Sequence, residues 1–390
     1  MKKIFFTLLL LAFTNLFNAQ LKLSVYSEIN IVTAGPGSEL YEAFGHSAIR
    51  VKDPVTSLDL IYNYGMFDFN QPNFYSNFAK GNMIYSLARY DFKYFLASYK
   101  RDKRWLKQQV LNLNQQQRQA FFMYLENNAL PQNKNYNYDP YFDNCATKLR
   151  DIIKLILGKD KVSFSDKSIN KNLSFRNLTN NEINWNSWGS FGLNMIAGTK
   201  LDEKATLSEY MYLPDYVYSI FKNSKVIIDG KTENLVKRED ILLKFKEKEQ
   251  KTSIFNPFLI LSIISLLVIF MTYKDFKNEK SSRYLDFTIL FITGLIGFIL
   301  IFLWFFSTHS TAPNNFNILW AFAPNLIVAF LMLKQKLSNW MYFYFKTLVF
   351  LLILIPILWI FKIQLFPITV IPILVLLFFR YFFLSRKNIT

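Results

Sequence analysis

The C-terminal third limits what this chain can be. Five apolar stretches, at about residues 254–273, 285–306, 316–333, 341–361 and 364–384, each approach the roughly 20 residues that a helix needs to cross a bilayer. The segments between them sort by charge. Lys274, Lys277, Lys280 and Arg283 follow the first stretch, Lys334 and Lys336 the third, Arg386 and Lys387 the fifth. Residues 307–315 carry no Lys or Arg, and only a tight turn near Lys362 separates the fourth stretch from the fifth. Short basic loops stay in the cytoplasm. Five spans therefore put the C-terminus in the cytoplasm and residues 20–253 across the membrane from it. Lys346 and Arg380 fall inside spans, near their expected cytoplasmic ends, where long side chains snorkel.

The N-terminus points the same way. Lys2 and Lys3 precede an apolar run over residues 4–13 that is too short to span, and Ala19 offers a small residue for cleavage before Gln20. The expected organisation is a signal peptide over 1–19, an exported domain over 20–236, a charged helical stalk over 237–253, and an all-α membrane domain of five spans over 254–390. The expected location is the cytoplasmic (inner) membrane, multi-pass, with the exported domain on the periplasmic or outer side.

Composition narrows the chemistry. The net charge of +17 is concentrated around the apolar spans, where it reads as topology and not as a nucleic-acid face on a soluble domain. A single cysteine, Cys145, excludes an intramolecular disulfide and a paired-cysteine zinc site. Two histidines far apart in sequence, His46 and His309, speak against a histidine-rich metal centre. Neither a metal nor a cofactor is expected.

The exported domain reads as α+β. Strands are expected over 21–34, 47–51, 58–64, 83–90 and 105–113, from alternation and turn signals. Ser38 is positioned to cap a short helix through Phe44. Helices are expected over 92–103, 114–129 and 143–157, and over 199–221 with a break at Pro214. Asp229-Gly230 suggests a hairpin within 225–236.

Cys145 falls at the start of the 143–157 helix, in the polar run Asp143-Asn144-Cys145 and off the apolar stripe of Leu149, Ile152, Ile153 and Ile156. Unpaired N–H groups at a helix start favour a thiolate. The Cys145 N–H and the Asn144 side chain are candidates to hold an oxyanion. His46 is the one histidine of the exported domain, and with Cys145 it makes a candidate base and nucleophile. Two acceptors fit this chemistry. An amine would make the protein a lipid-to-amine acyltransferase; water would make it a membrane-anchored cysteine peptidase or amidase of cell-wall peptides. A hydrolase needs one anchor, not five spans, which favours a lipid substrate. A non-enzymatic envelope scaffold would keep Cys145 buried and far from His46.

Three blocks then carry a resemblance: Phe44-Gly45-His46-Ser47-Ala48-Ile49-Arg50-Val51; Tyr62-Asn63-Tyr64-Gly65-Met66-Phe67-Asp68-Phe69; and Asp143-Asn144-Cys145-Ala146-Thr147-Lys148-Leu149-Arg150-Asp151. In this order, and followed by membrane spans containing His309, Asn314, Asn317, Leu319, Trp320 and Pro324, they resemble the Lnb-type bacterial lipoprotein N-acyltransferases. The resemblance implies a permuted papain-like thiol fold of the cell-wall-hydrolase kind, histidine before cysteine. Cys145 would be its nucleophile and His46 its base. It further implies a phospholipid acyl donor and the N-terminal amine of diacylglyceryl lipoproteins as acceptor. The motifs do not identify a third, orienting residue; Asn63 and Asp68 both flank Tyr64-Gly65 within reach of that role. Arg50, as a fork for a lipid phosphate, Tyr64 and His309 are the candidate substrate-binding residues, and Trp320 a candidate interfacial belt residue.

Overall fold

The computed structural model describes residues 21–247, 252–334 and 338–386; the expected signal segment, 1–19, lies outside them. In chain order the N-terminal domain runs through β1 (Glu28–Ala34), β2 (His46–Asp53), β3 (Leu58–Met66), α1 (Phe74–Lys80), β4 (Ile84–Asp91), α2 (Phe92–Arg101), β5 (Leu106–Leu111), α3 (Gln115–Asn128), β6 (Asn135–Asn137), α4 (Cys145–Leu157) and β7 (Val162–Ser163). It continues through α5 (Phe175–Glu182), α6 (Trp188–Ile196), α7 (Leu207–Tyr210), α8 (Pro214–Asn223), β8 (Lys225–Ile228), β9 (Lys231–Asn234) and β10 (Val236–Leu243).

Seven strands form one antiparallel sheet in the order β10-β5-β1-β2-β3-β4-β6. Side chains alternate across a strand, and the alternation sorts two cores. Ile29, Ile31, Ile49, Val51, Leu60 and Tyr62 face the side covered by α3, α4 and α8. Val32, Ala34, Ala48 and Ile61 face Phe92, Phe95 and Tyr99 of α2. β8 and β9 make the hairpin expected at Asp229-Gly230, both residues at positive φ.

Several local expectations are corrected. Ser38 caps nothing: a single 3-10 turn, Leu40–Glu42, starts at Glu39 without a side-chain cap. The stretch 199–221 is three short elements, because Pro214 lacks the N–H that an interior position must donate and instead opens α8. The charged segment after residue 236 is not a helical stalk over its first part; Val236–Leu243 pairs with β5 and closes the sheet edge. Open backbone groups of an edge strand outcompete a solvated helix here.

Among the described residues of the C-terminal domain, three helices are long and apolar enough to cross a membrane: α9 (Pro257–Asn278), α10 (Arg283–Phe305) and α12 (Trp340–Ile360). The third and fifth expected stretches are shorter. The third breaks into a 3-10 turn, Phe316–Leu319, and α11 (Asn325–Leu331), with Pro324 where a continuous helix would pass. The fifth is a 3-10 turn, Ile368–Val370, leading into α13 (Ile371–Leu384). Arg380 does not snorkel. It is buried against Asp286 (2.6 Å) and Asp275 (2.8 Å), so two carboxylates at the ends of α9 and α10 replace water around its guanidinium. Trp320 is also buried and donates to Asn317 Oδ1 (3.0 Å), which removes it from any interfacial belt.

The two domains meet along a polar seam. Gly198 N–H donates to Thr311 O (2.8 Å) and the Asn315 side chain to Met195 O (2.8 Å). Behind it, buried Arg176 forks onto Asp202 (2.8 and 2.9 Å) and donates to Asn194 Oδ1 and Gly198 O. Asp202 in turn accepts Leu365 N–H from the membrane domain (3.2 Å). Removing one partner of a buried pair strands the other, so Asp202→Ala is expected to destabilise the folded protein by about 3–5 kcal/mol, read as a lowered midpoint in thermal unfolding of the full-length protein.

Candidate active site

His46 opens β2 and Cys145 opens α4. α4 starts where it does because Asn144 closes a capping box. Its side chain accepts from Ala146 N (2.9 Å) and Thr147 N (3.0 Å), and Thr147 Oγ1 accepts from Asn144 N (2.8 Å). A cap of this kind is worth about 1 kcal/mol. It also fixes the first helical turn that holds the sulfur.

The sheet supplies the other half. β2 and β3 are antiparallel neighbours. On them His46 and Asn63 stand close enough for His46 Nε2 to meet Asn63 Oδ1 at 2.6 Å. The Asn63 amide nitrogen donates to Tyr90 OH and lies near Met66 Sδ, both at 3.2 Å, which orients its oxygen towards the ring. An oxygen acceptor requires Nε2 to carry hydrogen, so Nδ1 is left with its lone pair for the thiol. Next to this pair the β3–β4 register shifts between Asn63 and Met66, and Gly65 adopts φ +92°. A bulge of this kind commonly re-aims side chains beside active sites. A Cβ on Gly65 would lie 3.8 Å from that of Cys145, so the thiol packs against the bulge.

Electrostatics match the geometry. Burial pushes the Cys145 thiol up, but the His46 charge, the imidazole hydrogen bond and the N–H groups of Ser47 and Ala146 outweigh it and bring the thiol below its ordinary value. Burial pushes His46 down, while the charge of a facing thiolate and the hydrogen bonds that the ring donates to Cys145 and Asn63 bring it above its ordinary value. Both shifts favour transfer of the thiol proton to the imidazole. Among the described residues the Cys145 N–H donates to no acceptor, as expected at the first position of a helix.

Other residues singled out in the sequence lie elsewhere. The Asn144 amide donates to Pro140 O (2.7 Å) and Tyr212 O (2.9 Å), so both its hydrogens are engaged and it does not face an oxyanion. Asp68 is exposed and accepts Asn70 N–H in a turn (2.8 Å). Arg50 forks onto Asp59 (2.7 Å twice), donates to Gln108 and covers the Phe92 ring at 3.7 Å, which leaves no donor pair for a phosphate. Tyr64 is a core residue whose hydroxyl donates to Asn128 Oδ1 (2.8 Å). His309 lies on the loop after α10 and its Nε2 meets Phe78 O at 2.8 Å, joining that loop to α1. Two contributors escaped sequence reasoning. The Ser47 N–H belongs to the backbone and has no signature, and Tyr138, which packs at Gly65, is marked only by the aromatic alternation of Tyr136 and Tyr138 around β6. A polar cavity of about 220 Å³ lined by Pro36, Glu42, Arg104 and Trp105 includes neither Cys145 nor His46.

Two family models match the chain: that of the Lnb N-terminal periplasmic domain over residues 12–181, and that of the Lnb transmembrane domain over residues 248–389. The chain belongs to the Lnb family. It is accordingly a membrane protein with a periplasmic N-terminal domain. The Lnb periplasmic match contains the whole His46–Asn63–Cys145 cluster, while the Lnb transmembrane match begins past β10. No curated protein and no solved structure matches the chain.

A thiol shifted down beside an imidazole shifted up has a measurable signature. Cys145 is lowered and His46 raised, so alkylation by iodoacetamide is expected to be fast already below about pH 8.5, the usual thiol value. In His46→Ala only burial and the two N–H bonds remain, and the profile moves to higher pH. Asn63→Ala frees the ring to turn and is expected to slow turnover without preventing alkylation, since the thiol and its N–H partners stay in place.

Proposed function

We propose that the protein is a lipoprotein N-acyltransferase that moves an acyl chain from a phospholipid, through a thioester on Cys145, to the N-terminal amine of a diacylglyceryl lipoprotein. The observation that carries this reading is a paired Cys145 and His46 in a periplasmic domain seamed to a membrane domain. The Cys–His–Asn grouping has the composition of papain-like thiol sites. With histidine ahead of cysteine in the chain, it supports a permuted papain-like domain.

The chemistry follows from the positions. The Cys145 sulfur attacks an ester carbonyl of the donor, and the free N–H of Cys145 at the start of α4 faces the developing oxyanion. Collapse breaks the ester C–O bond. The imidazolium of His46 gives its Nδ1 proton to the departing glycerol oxygen, a lysophospholipid leaves, and the acyl group remains on sulfur. His46, now neutral, takes a proton from the incoming N-terminal ammonium. The amine attacks the thioester, its nitrogen releases a second proton to solvent, the C–S bond breaks, and the amide product leaves the thiolate–imidazolium pair restored. Asn63 keeps Nε2–H occupied throughout, so the same nitrogen serves both halves.

The reading extends to the membrane part. Basic loops and a five-span count would place the protein in the inner membrane with its C-terminus in the cytoplasm and residues 1–19 as its signal peptide. The two shorter segments around α11 and α13 would then be the third and fifth spans.

The test is expression of wild type and Cys145→Ala in a strain that lacks lipoprotein N-acylation, with lipoprotein N-termini read by mass spectrometry. An added acyl chain with wild type alone is the expected result. Unmodified N-termini together with newly cleaved wall peptides would replace the reading by the hydrolase. His46→Ala is expected to lower the transfer rate by about 10²–10⁴-fold, the usual share of general acid–base catalysis.

A further inference from the structure

The aromatic rings of the periplasmic domain form a line. Tyr138 packs at Gly65 beside Cys145 and stacks on Tyr85 with centroids 4.2 Å apart. Tyr85 stacks on Phe67 (5.0 Å), and Phe67 meets Phe69 edge-on (4.9 Å) and Phe74 in parallel (6.2 Å). Phe74 stacks on Phe78 (6.2 Å), and Phe78 meets the His309 ring (6.1 Å). The line begins at the nucleophile and ends on the loop that follows α10, one of the helices long enough to cross the membrane. That end is fixed: Thr308 N–H donates to Lys80 O (2.8 Å) and His309 meets Phe78 O.

The line is also open along one side. Phe69 is 52% exposed and Phe78 48%, and Tyr75 and Met66 beside them are exposed too. Contiguous exposed apolar surface on a folded domain marks a place where something apolar binds. The occupant is set by the two ends. At one end lies a sulfur that takes an acyl carbonyl; at the other, the intramolecular contact with the membrane domain.

We propose that this line of rings seats the donor phospholipid's acyl chain, with its carbonyl at Cys145 and its methyl end towards the loop after α10. The donor chain is chosen over the acceptor's chains because only the chain under attack must end at the sulfur. The inference rests on the acyl-enzyme reading above and adds the residues that select the acyl group. Tyr138 and Tyr85 flank the first carbons, and Phe67, Phe74 and Phe78 the distal ones. The near rings serve every chain, whereas Phe69 and Phe78 touch only long ones.

The experiment uses the full-length protein in mixed micelles with dipalmitoyl- or dihexanoyl-phosphatidylethanolamine, following the acyl adduct on Cys145 by intact-protein mass spectrometry. The expected result for Phe69→Ala and for Phe78→Ala is a fall of about tenfold in the ratio of long-chain to short-chain loading, the size expected from losing one ring's apolar contact. Phe78→Leu should recover much of the ratio, since hydrocarbon and not an aromatic edge is what a chain needs. Iodoacetamide alkylation of Cys145 reports an intact fold. If Phe78→Ala disturbs the loop contact, Phe69→Ala carries the test, because the Phe69 ring meets Phe67 and Phe74, whereas Phe78 holds the loop through His309. An unchanged ratio in Phe69→Ala overturns the seat while leaving the thioester reading standing. Wild type that forms no adduct from either donor overturns both.

Discussion

A guanidinium buried behind the seam between the two domains orders the segment through which they meet. Arg176 comes from α5 and holds Asp202, Asn194 and the Gly198 carbonyl together, and Asp202 reaches on to the Leu365 N–H of the membrane domain. An arginine fork in a dry site is strong only when each donor has a fixed acceptor. The surrounding Gly198–Thr311 and Asn315–Met195 bonds supply that order. Through this seam the periplasmic sheet has a defined stance on the membrane helices. The proposed reaction needs that stance, because a lipid ester would be offered only over the range of positions that a bilayer allows.

The site itself joins two ends. A sheet delivers His46 and Asn63 on neighbouring strands, and a helix delivers Cys145 at its first turn. Each element brings what the other lacks: the strands an imidazole held by Asn63, the helix the free Cys145 N–H and the positive potential of its first turn. The bulge at Gly65 lets the two approach. The same bulge turns β3 towards Phe67 and Phe69, and so links Cys145 to the ring line on which the acyl-chain proposal rests.

Much of the site was legible in the sequence, for physical reasons that differ by residue. Cys145 and His46 carry rare chemistry in a chain with one cysteine and two histidines, so composition alone drew attention to them. Asn63 was visible as one of two orienting candidates, and the hydrogen bond to Nε2 separates it from Asp68, which sits in an exposed turn. Arg50, Tyr64 and Asn144 depart from their expected roles for one shared reason. Each has a reactive-looking head group, and in each the heads are engaged inside the fold by Asp59, Asn128, Pro140 or Tyr212. No local pattern announces such partners, because they lie far away in the chain. The helical expectation past residue 236 failed likewise: the strand forms because β5 offers an open edge. Arg380 departs from snorkelling because Asp275 and Asp286 wait on other helices.

By itself, the sequence determined the division into an exported α+β domain and an apolar helical one, the strand and helix periodicities of the main elements, and the two reactive side chains. These follow from spacing, hydropathy and residue chemistry, which act over a few neighbours. Tertiary structure alone decided that Cys145 and His46 face one another, that Asn63 completes the group, and that a seam of buried polar bonds ties the domains. It also decided that aromatic rings from β3, β4, α1 and the segment after β6 line up from Cys145 to the loop after α10. Those outcomes depend on which distant segments share a rung, a bulge or a buried charge, and a contact of that kind exists only once the chain has closed on itself.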